Sequence, residues 1–171
     1  LDIQVEPIDF ITLIEGIFEQ LYFMDHLGYL DCRIVVSPTL NFHSDSKRIT
    51  VVLNNLISNA IKYADISKPN PFVEVRVDKS PDGVTICVAD NGDGIDEEHL
   101  PKIFDMFYRG TERSKGSGLG LYIVKETIAK MNGTIKVESV EGKGTSFIVK
   151  LPVSSTYNAI EIAPAVTQQQ G

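Results

Sequence analysis

The chain switches between two hydrophobic periods. Ile3-Gln4-Val5-Glu6-Pro7 alternates apolar and polar positions as a strand does, with Pro7 confining it to an edge or an end. Phe10, Leu13, Ile14, Ile17, Phe18, Leu21 and Tyr22 then recur at helical spacing behind Asp9, a good N-cap, which predicts a helix with one core-facing stripe. Strand character returns at residues 32–36 and stops at Pro38. A second helix follows an N-cap at Ser44 or Asp45, with Ile49, Leu53, Leu56, Ile57 and Ala60 as its buried stripe. Residues 72–77 and 84–89 alternate again around Ser80-Pro81-Asp82-Gly83, a strong turn sequence. A third helix runs from about Ser117 to Met131, burying Leu121, Val124, Ile128 and Met131 and ended by Asn132-Gly133. Strands at residues 134–140 and 145–151 flank the turn Glu141-Gly142-Lys143-Gly144. Beyond Pro152 the periodicity is gone, which divides the chain into a domain of residues 1–152 and a flexible tail, 153–171. There is no internal repeat.

Two stretches ask for more than packing. On the second helix Asn55, Asn59 and Lys62 fall at i, i+4 and i+7, on one face roughly opposite the apolar stripe, with Tyr63 beside them. A solvated face accounts for a single asparagine. Two amides and a lysine in register suit a magnesium–polyphosphate complex, because an amide carbonyl is a hard, neutral oxygen ligand that leaves the cation its charge, and lysine adds a point charge.

The second stretch is the connector at residues 96–115, which has no strand pattern and lies between two glycine pairs. Connections above about 12–15 residues are uncommon in compact domains and tend to be functional. Asp96 suits an N-cap and Pro101 a first helical position, so short helical turns are expected, with Phe104, Phe107 and Tyr108 able to pack. Arg109-Gly110-Thr111-Glu112-Arg113-Ser114-Lys115 is polar and basic, as in a mobile lid. Such a lid, opening through Gly116-Ser117-Gly118-Leu119-Gly120-Leu121 into a helix N-terminus, can clamp phosphates with backbone N–H groups and the helix dipole. At its other end, Asp90 closes a strand before Asn91-Gly92-Asp93-Gly94-Ile95. A carboxylate there can cap a turn. It can also accept a hydrogen bond from the exocyclic amine of adenine, with Gly92 and Gly94 letting a flat ring lie on bare backbone.

Two phosphate motifs are excluded on spacing. Gly142-Lys143-Gly144-Thr145 lacks the upstream glycine and the Lys-Ser/Thr pair of a Walker loop, and Leu121 stands where a dinucleotide fingerprint begun at Gly116 needs its third glycine.

At 171 residues, 43% hydrophobic and 23% charged, the composition is that of a globular domain. A net charge of −7 argues against nucleic acid and anionic membrane surfaces as partners, and the basic run at residues 109–115 stands out against it. No apolar run approaches the ~20 residues of a membrane span, and no signal-peptide pattern opens the chain. Cys32 and Cys87, in strand-like surroundings and without a C-x-x-C partner, read as reduced, buried thiols of a cytosolic protein. His26, His43 and His99 have no companions at metal-ligand spacing.

With these motifs in order, the sequence resembles the ATP-binding catalytic domain of bacterial sensor histidine kinases, whose nucleotide fold is shared with gyrase, heat-shock chaperone and mismatch-repair ATPases. Asn55-Leu56-Ile57-Ser58-Asn59-Ala60-Ile61-Lys62-Tyr63 looks like the N box, Asp90-Asn91-Gly92-Asp93-Gly94 like the first glycine box and Phe104-Asp105-Met106-Phe107-Tyr108-Arg109 like the F box. Residues 116–121 match the second glycine box, and residues 142–145 a further one. The resemblance implies a two-layer α/β (α+β) sandwich, with a mixed, mostly antiparallel sheet, helices on one face and a lid over the nucleotide. It implies ATP and magnesium as cofactors: Asn59 ligating the metal with Asn55 beside it, Lys62 and Tyr63 lining the nucleotide, and Asp90 reading adenine next to Gly92, Gly94 and Ile95. By the same resemblance Tyr108, Arg109 and the backbone of Gly116, Ser117, Gly118, Leu119, Gly120 and Leu121 serve the phosphates, and Thr145 completes the site.

Met106 stands where many members have proline, a departure expected to matter little. None of the three histidines sits in the H-[DE]-x-x-x-P context of a phosphoacceptor. The expected activity is therefore that of a donor half, passing the γ-phosphoryl group of ATP to a histidine on a dimerisation domain outside this chain. The same resemblance implies a response regulator downstream and a cytoplasmic location for the domain, even where the parent is membrane-anchored. Two alternatives are a protein-serine kinase of the same fold and a nucleotide-gated binding module without transfer chemistry.

Overall fold

A computed structural model describes residues 3–25, 28–110 and 116–154. In chain order the elements are β1 (Glu6–Pro7), α1 (Phe10–Asp25), β2 (Asp31–Val36), β3 (His43–Ser44), α2 (Ser46–Lys62), β4 (Phe72–Ser80), β5 (Gly83–Asp90), a 3-10 turn (Leu100–Lys102), α3 (Gly120–Lys130), β6 (Thr134–Val140) and β7 (Gly144–Pro152). Five strands form one sheet in the order β2-β4-β5-β7-β6, and β1 pairs with β3 in a separate two-residue ladder. β2 runs parallel to β4, while the other neighbours in the sheet are antiparallel. A parallel pair needs a long crossover, and α2 supplies it.

Alternation decides which face of the sheet is covered. Val73, Val75 and Val77 of β4, Val84, Ile86 and Val88 of β5, and Phe147, Val149 and Leu151 of β7 are buried. They join Phe10, Ile14 and Phe18 of α1, Leu53, Leu56 and Ile57 of α2, and Val124 and Ile128 of α3 in one cluster. Each fully buried aliphatic side chain contributes roughly 1.5–3 kcal/mol, so this layer of three helices on one sheet face is where the fold's stability resides. The two-layer α+β sandwich with a mostly antiparallel sheet is thus the observed architecture.

The local signals act as expected at the helix starts. Asp9 accepts from the Thr12 N–H at 3.1 Å and from its hydroxyl at 2.8 Å. Asp45, not Ser44, caps α2, accepting the Arg48 N–H at 3.0 Å.

Several expectations need correction. The first strand shrinks to Glu6–Pro7, since only these residues find a partner, in β3. Tyr22 is 53% exposed because Phe18 and Leu21 already cover the core side of that turn. Cys87 lies on the uncovered sheet face, half-buried in register with Arg76 and Ile148, and Cys32 is exposed near the start of the edge strand β2. Both thiols are free, but neither is buried. α3 begins at Gly120 rather than Ser117, because Gly116 and Gly118 take φ of +129° and +73°, which no helix accommodates. Leu121 and Met131 are only partly buried against the core.

No helix among the described residues is long and apolar enough to cross a membrane. Of the expected tail only residues 153 and 154 are described, and His26 also lies outside the described residues.

Candidate functional site

The site is assembled at one end of the sandwich from the C-terminal half of α2, the loop after β5, the β6–β7 turn and the start of α3. α2 presents Asn55 and Asn59 half-buried and Lys62 exposed. The face they share does not simply meet solvent, because the second glycine box lies against it. A Cβ added to Gly120 would sit 3.0 Å from Asn55 Oδ1, and one added to Gly116 would sit 3.1 Å from Lys62 Nζ. Asn55 Nδ2 donates to the Val51 carbonyl at 2.8 Å, which turns the amide oxygen toward Gly120. Lys62 Nζ also lies 5.1 Å from the centre of the Tyr63 ring.

The two glycine boxes pack where any side chain would collide. A Cβ on Gly92 would lie 2.3 Å from the Tyr63 carbonyl, so the first box sits directly on the end of α2. A Cβ on Gly118 would lie 2.7 Å from the Phe107 backbone, and the Phe107 N–H donates to the Gly118 carbonyl at 3.0 Å. The second box is in this way tied to the F box. Phe107 itself has φ +63° and is 65% exposed, contrary to its expected packing role. Phe104 packs instead, edge-on to Phe147 at 6.2 Å. The expected helical turns reduce to the 3-10 turn with Pro101 near its start, and Asp96 caps a bend by accepting the Glu98 N–H at 2.8 Å.

The N-terminus of α3 opens beside Asn55 and Lys62. Its N-cap, Leu119, makes no side-chain hydrogen bond to the first-turn N–H groups. Such a terminus carries partial positive charge and suits an anion.

Asp90 ends β5 opposite Thr145 in the antiparallel ladder. Its Oδ1 accepts the Gly92 N–H at 2.8 Å. Burial raises its carboxyl above the usual carboxylate range, opposed by the Gly92 and Thr145 N–H groups and by the nearby Lys68 ammonium. Thr145 is buried, and its hydroxyl pairs with Ser139 Oγ at 2.8 Å. The same Ser139 oxygen accepts the Ile95 N–H at 2.8 Å, which fixes Ile95 behind Gly94.

Of the remaining expected residues, Tyr108 is half-buried, its hydroxyl 2.6 Å from His99 Nδ1. Arg109 and Ser117 are exposed, on either side of residues 111–115, which lie outside the described residues together with most of the expected basic lid. Three contributors carry no motif: Ser139, His99 and Lys68. Ser139 follows Ile135 and Val137 on the inward face of β6, a signal too weak to single it out. No group of three or more His, Cys, Asp or Glu converges among the described residues, so amide oxygens are the hard ligands on offer for a divalent ion. With Asn55 Oδ1 turned outward from its own helix and Asn59 one turn on, the residues present fit a magnesium–polyphosphate group.

A helix N-terminus, glycine-lined backbone and an acidic strand end meet at this end of the sandwich, groups whose chemistry suits an anionic ligand. The chain belongs to the family of histidine kinase-, DNA gyrase B- and HSP90-like ATPases, whose pattern it matches over residues 44–155. It is 41% identical over 112 residues to the sensor protein SrrB of Staphylococcus aureus (strain NCTC 8325 / PS 47), a match covering 63% of this chain and 19% of SrrB. The chain thus spans about a fifth of the length of the curated relatives it matches. Among solved structures, the mycobacterial sensor histidine kinase MprB superposes with a TM-score of 0.73 at 26% identity, covering 88% of this chain and 98% of that one. Full-length ShkA, solved in complex with AMPPNP, superposes with a TM-score of 0.78 at 26% identity, covering 90% of this chain and 32% of ShkA.

Proposed function

We propose that this chain is the ATP-binding catalytic domain of a sensor histidine kinase, which binds magnesium–ATP and donates its γ-phosphoryl group to a histidine on a dimerisation domain outside the chain. The observation that carries the reading is the convergence of Asn55 Oδ1 and Lys62 Nζ on the second glycine box at the start of α3, where Leu119 supplies no side-chain cap. That is an anion cradle with hard-oxygen ligands beside it. Asn59 and Asn55 would hold the magnesium, which when bound neutralises phosphate charge. Lys62 and the α3 amides would position the phosphates, and Asp90 would accept from the adenine amine. Phosphoryl transfer asks mainly for positioning and charge stabilisation, and these are what the residues can supply. The AMPPNP complex of ShkA supports the same ligand class for this chain. Residues 1–152 would form the working unit, and a response regulator would receive the phosphoryl group from the histidine.

Calorimetric titration tests this reading. ATP and ADP should bind with magnesium, and GTP should bind more weakly, because guanine presents a carbonyl where adenine presents an amine. Two facing acceptors leave a buried polar group unpaired, which costs about 1–3 kcal/mol. Equal affinity for GTP would sink the adenine assignment. Asn59→Ala should remove the magnesium dependence of nucleotide binding while the far-ultraviolet circular dichroism stays unchanged; retained dependence would return Asn59 to an ordinary helix surface.

A further inference from the structure

Lys68 lies in the loop between α2 and β4, outside every motif described above. Its ammonium donates to three backbone carbonyls from two other segments: Asn91 at 2.9 Å, Gly92 at 2.7 Å and Gly142 at 2.6 Å. A lysine has three N–H donors, and all three are matched. The loop that carries it is itself fixed. Asp65 Oδ1 accepts the Ser67 N–H at 3.0 Å and its hydroxyl at 2.6 Å, and the Lys68 N–H donates to the Asp65 carbonyl at 3.2 Å. Around the ammonium the same segments are stitched again. The Asp93 N–H reaches the Tyr63 carbonyl at 3.1 Å, the Gly142 N–H reaches the Asp93 carbonyl at 2.6 Å, and Asn91 Oδ1 accepts the Phe72 N–H at 2.9 Å. Gly92 is the link that matters, because its carbonyl is held by Lys68 and its N–H holds Asp90.

We infer that Lys68 is a positioning residue for base recognition: it locks the turn after β5 onto the β6–β7 turn, so that the Asp90 carboxylate stays aimed as an acceptor. The inference rests on the reading of Asp90 as the adenine contact. Lys68 also acts through its charge. Among the described residues, the charged groups that Asp90 feels are Lys68, which favours the carboxylate, and Asp93, which opposes it, and burial opposes it further. Removing the ammonium therefore leaves Asp90 easier to protonate and a poorer acceptor in mild acid.

The experiment compares the wild-type chain with Lys68→Met and Lys68→Arg, titrating each with magnesium–ATP, magnesium–GTP and inorganic triphosphate across the acid-to-neutral range. Lys68→Met should weaken ATP about tenfold, the scale of a lost charge-assisted hydrogen bond. It should narrow the ATP-to-GTP ratio, move the acid limb of ATP binding to higher pH than in wild type, and leave triphosphate binding unchanged. Lys68→Arg, which keeps the charge, should restore the acid limb. If Lys68→Met does not fold, Lys68→Gln keeps two donors without the charge and reads the same ratio and limb. Parallel weakening of ATP, GTP and triphosphate, or an unchanged ratio and limb, would overturn the role of Lys68. A wild-type chain with no preference for ATP would instead overturn the adenine reading beneath it.

Discussion

Asp90 sits where its own charge is unwelcome. Two backbone N–H groups and Lys68 favour the carboxylate, yet burial outweighs them and its pKa in the fold lies above that in the unfolded chain. The folded state therefore holds the proton more tightly. The stability cost of ionisation is absent below the unfolded carboxylate pKa and complete once pH rises past the folded one. Asp90→Asn should accordingly raise the melting temperature of the nucleotide-free chain at neutral pH, with the gain fading in acid. The same variant should narrow the preference for ATP over GTP, because its amide N–H₂ can donate to the guanine carbonyl. A lower melting temperature at neutral pH would mean that the N–H donors outweigh burial. Asp90, Asn55 and Lys62 were legible in the sequence because short-range spacing sets them: a strand end, and one helix face. Lys68 was not, because its partners lie 23, 24 and 74 positions away, and a lysine in a polar loop looks like any solvated one.

At the scale of elements, helix ends carry the clearest consequences. Asp45→Ala removes the acceptor for the Arg48 N–H at the start of α2, the helix that presents Asn55 and Asn59. It should lower stability by about 1 kcal/mol, seen as a lower urea midpoint with an unchanged slope. Gly118→Ala acts at the other helix. Its left-handed backbone costs a non-glycine residue roughly 1–2 kcal/mol, and the new Cβ would press on the Phe107 backbone. Inorganic triphosphate should bind the variant more weakly, and unaltered binding would dissociate the second glycine box from anion capture. The three helices and the strands from β4 onward follow the periodicity that foretold them. What failed did so where period has no purchase. β3 has two residues, too few to alternate. The start of α3 depends on glycine backbone angles rather than on apolar spacing. Phe107 looked like a packing residue from its type, but its φ of +63° belongs to a turn that leaves its ring outside.

For the molecule as a whole, the proposal is a donor without an acceptor. None of the chain's three histidines stands in a phosphoacceptor sequence. Incubation with labelled ATP should give no acid-labile phosphohistidine on this chain. Adding the dimerisation domain as a separate fragment should restore transfer weakly, since separation forfeits the effective concentration of a short linker. Label mapped to His26, His43 or His99 would overturn the donor-only reading, and label on a serine of another protein would favour the serine-kinase alternative. The layer order was legible from which strands alternate, whereas the parallel pairing of β2 with β4 was not, because partner choice across a sheet leaves no mark on either strand. The β4–β5 hairpin has a further use. β5 carries Asp90 at one end and meets the Pro81-Asp82 tip at the other, roughly 23 Å away at about 3.3 Å per residue. Both of those tip residues are exposed. A single fluorophore attached there would stand clear of the nucleotide yet share a rigid strand with it, within energy-transfer range of a labelled ATP analogue, so occupancy could be followed optically without perturbing the pocket it reports.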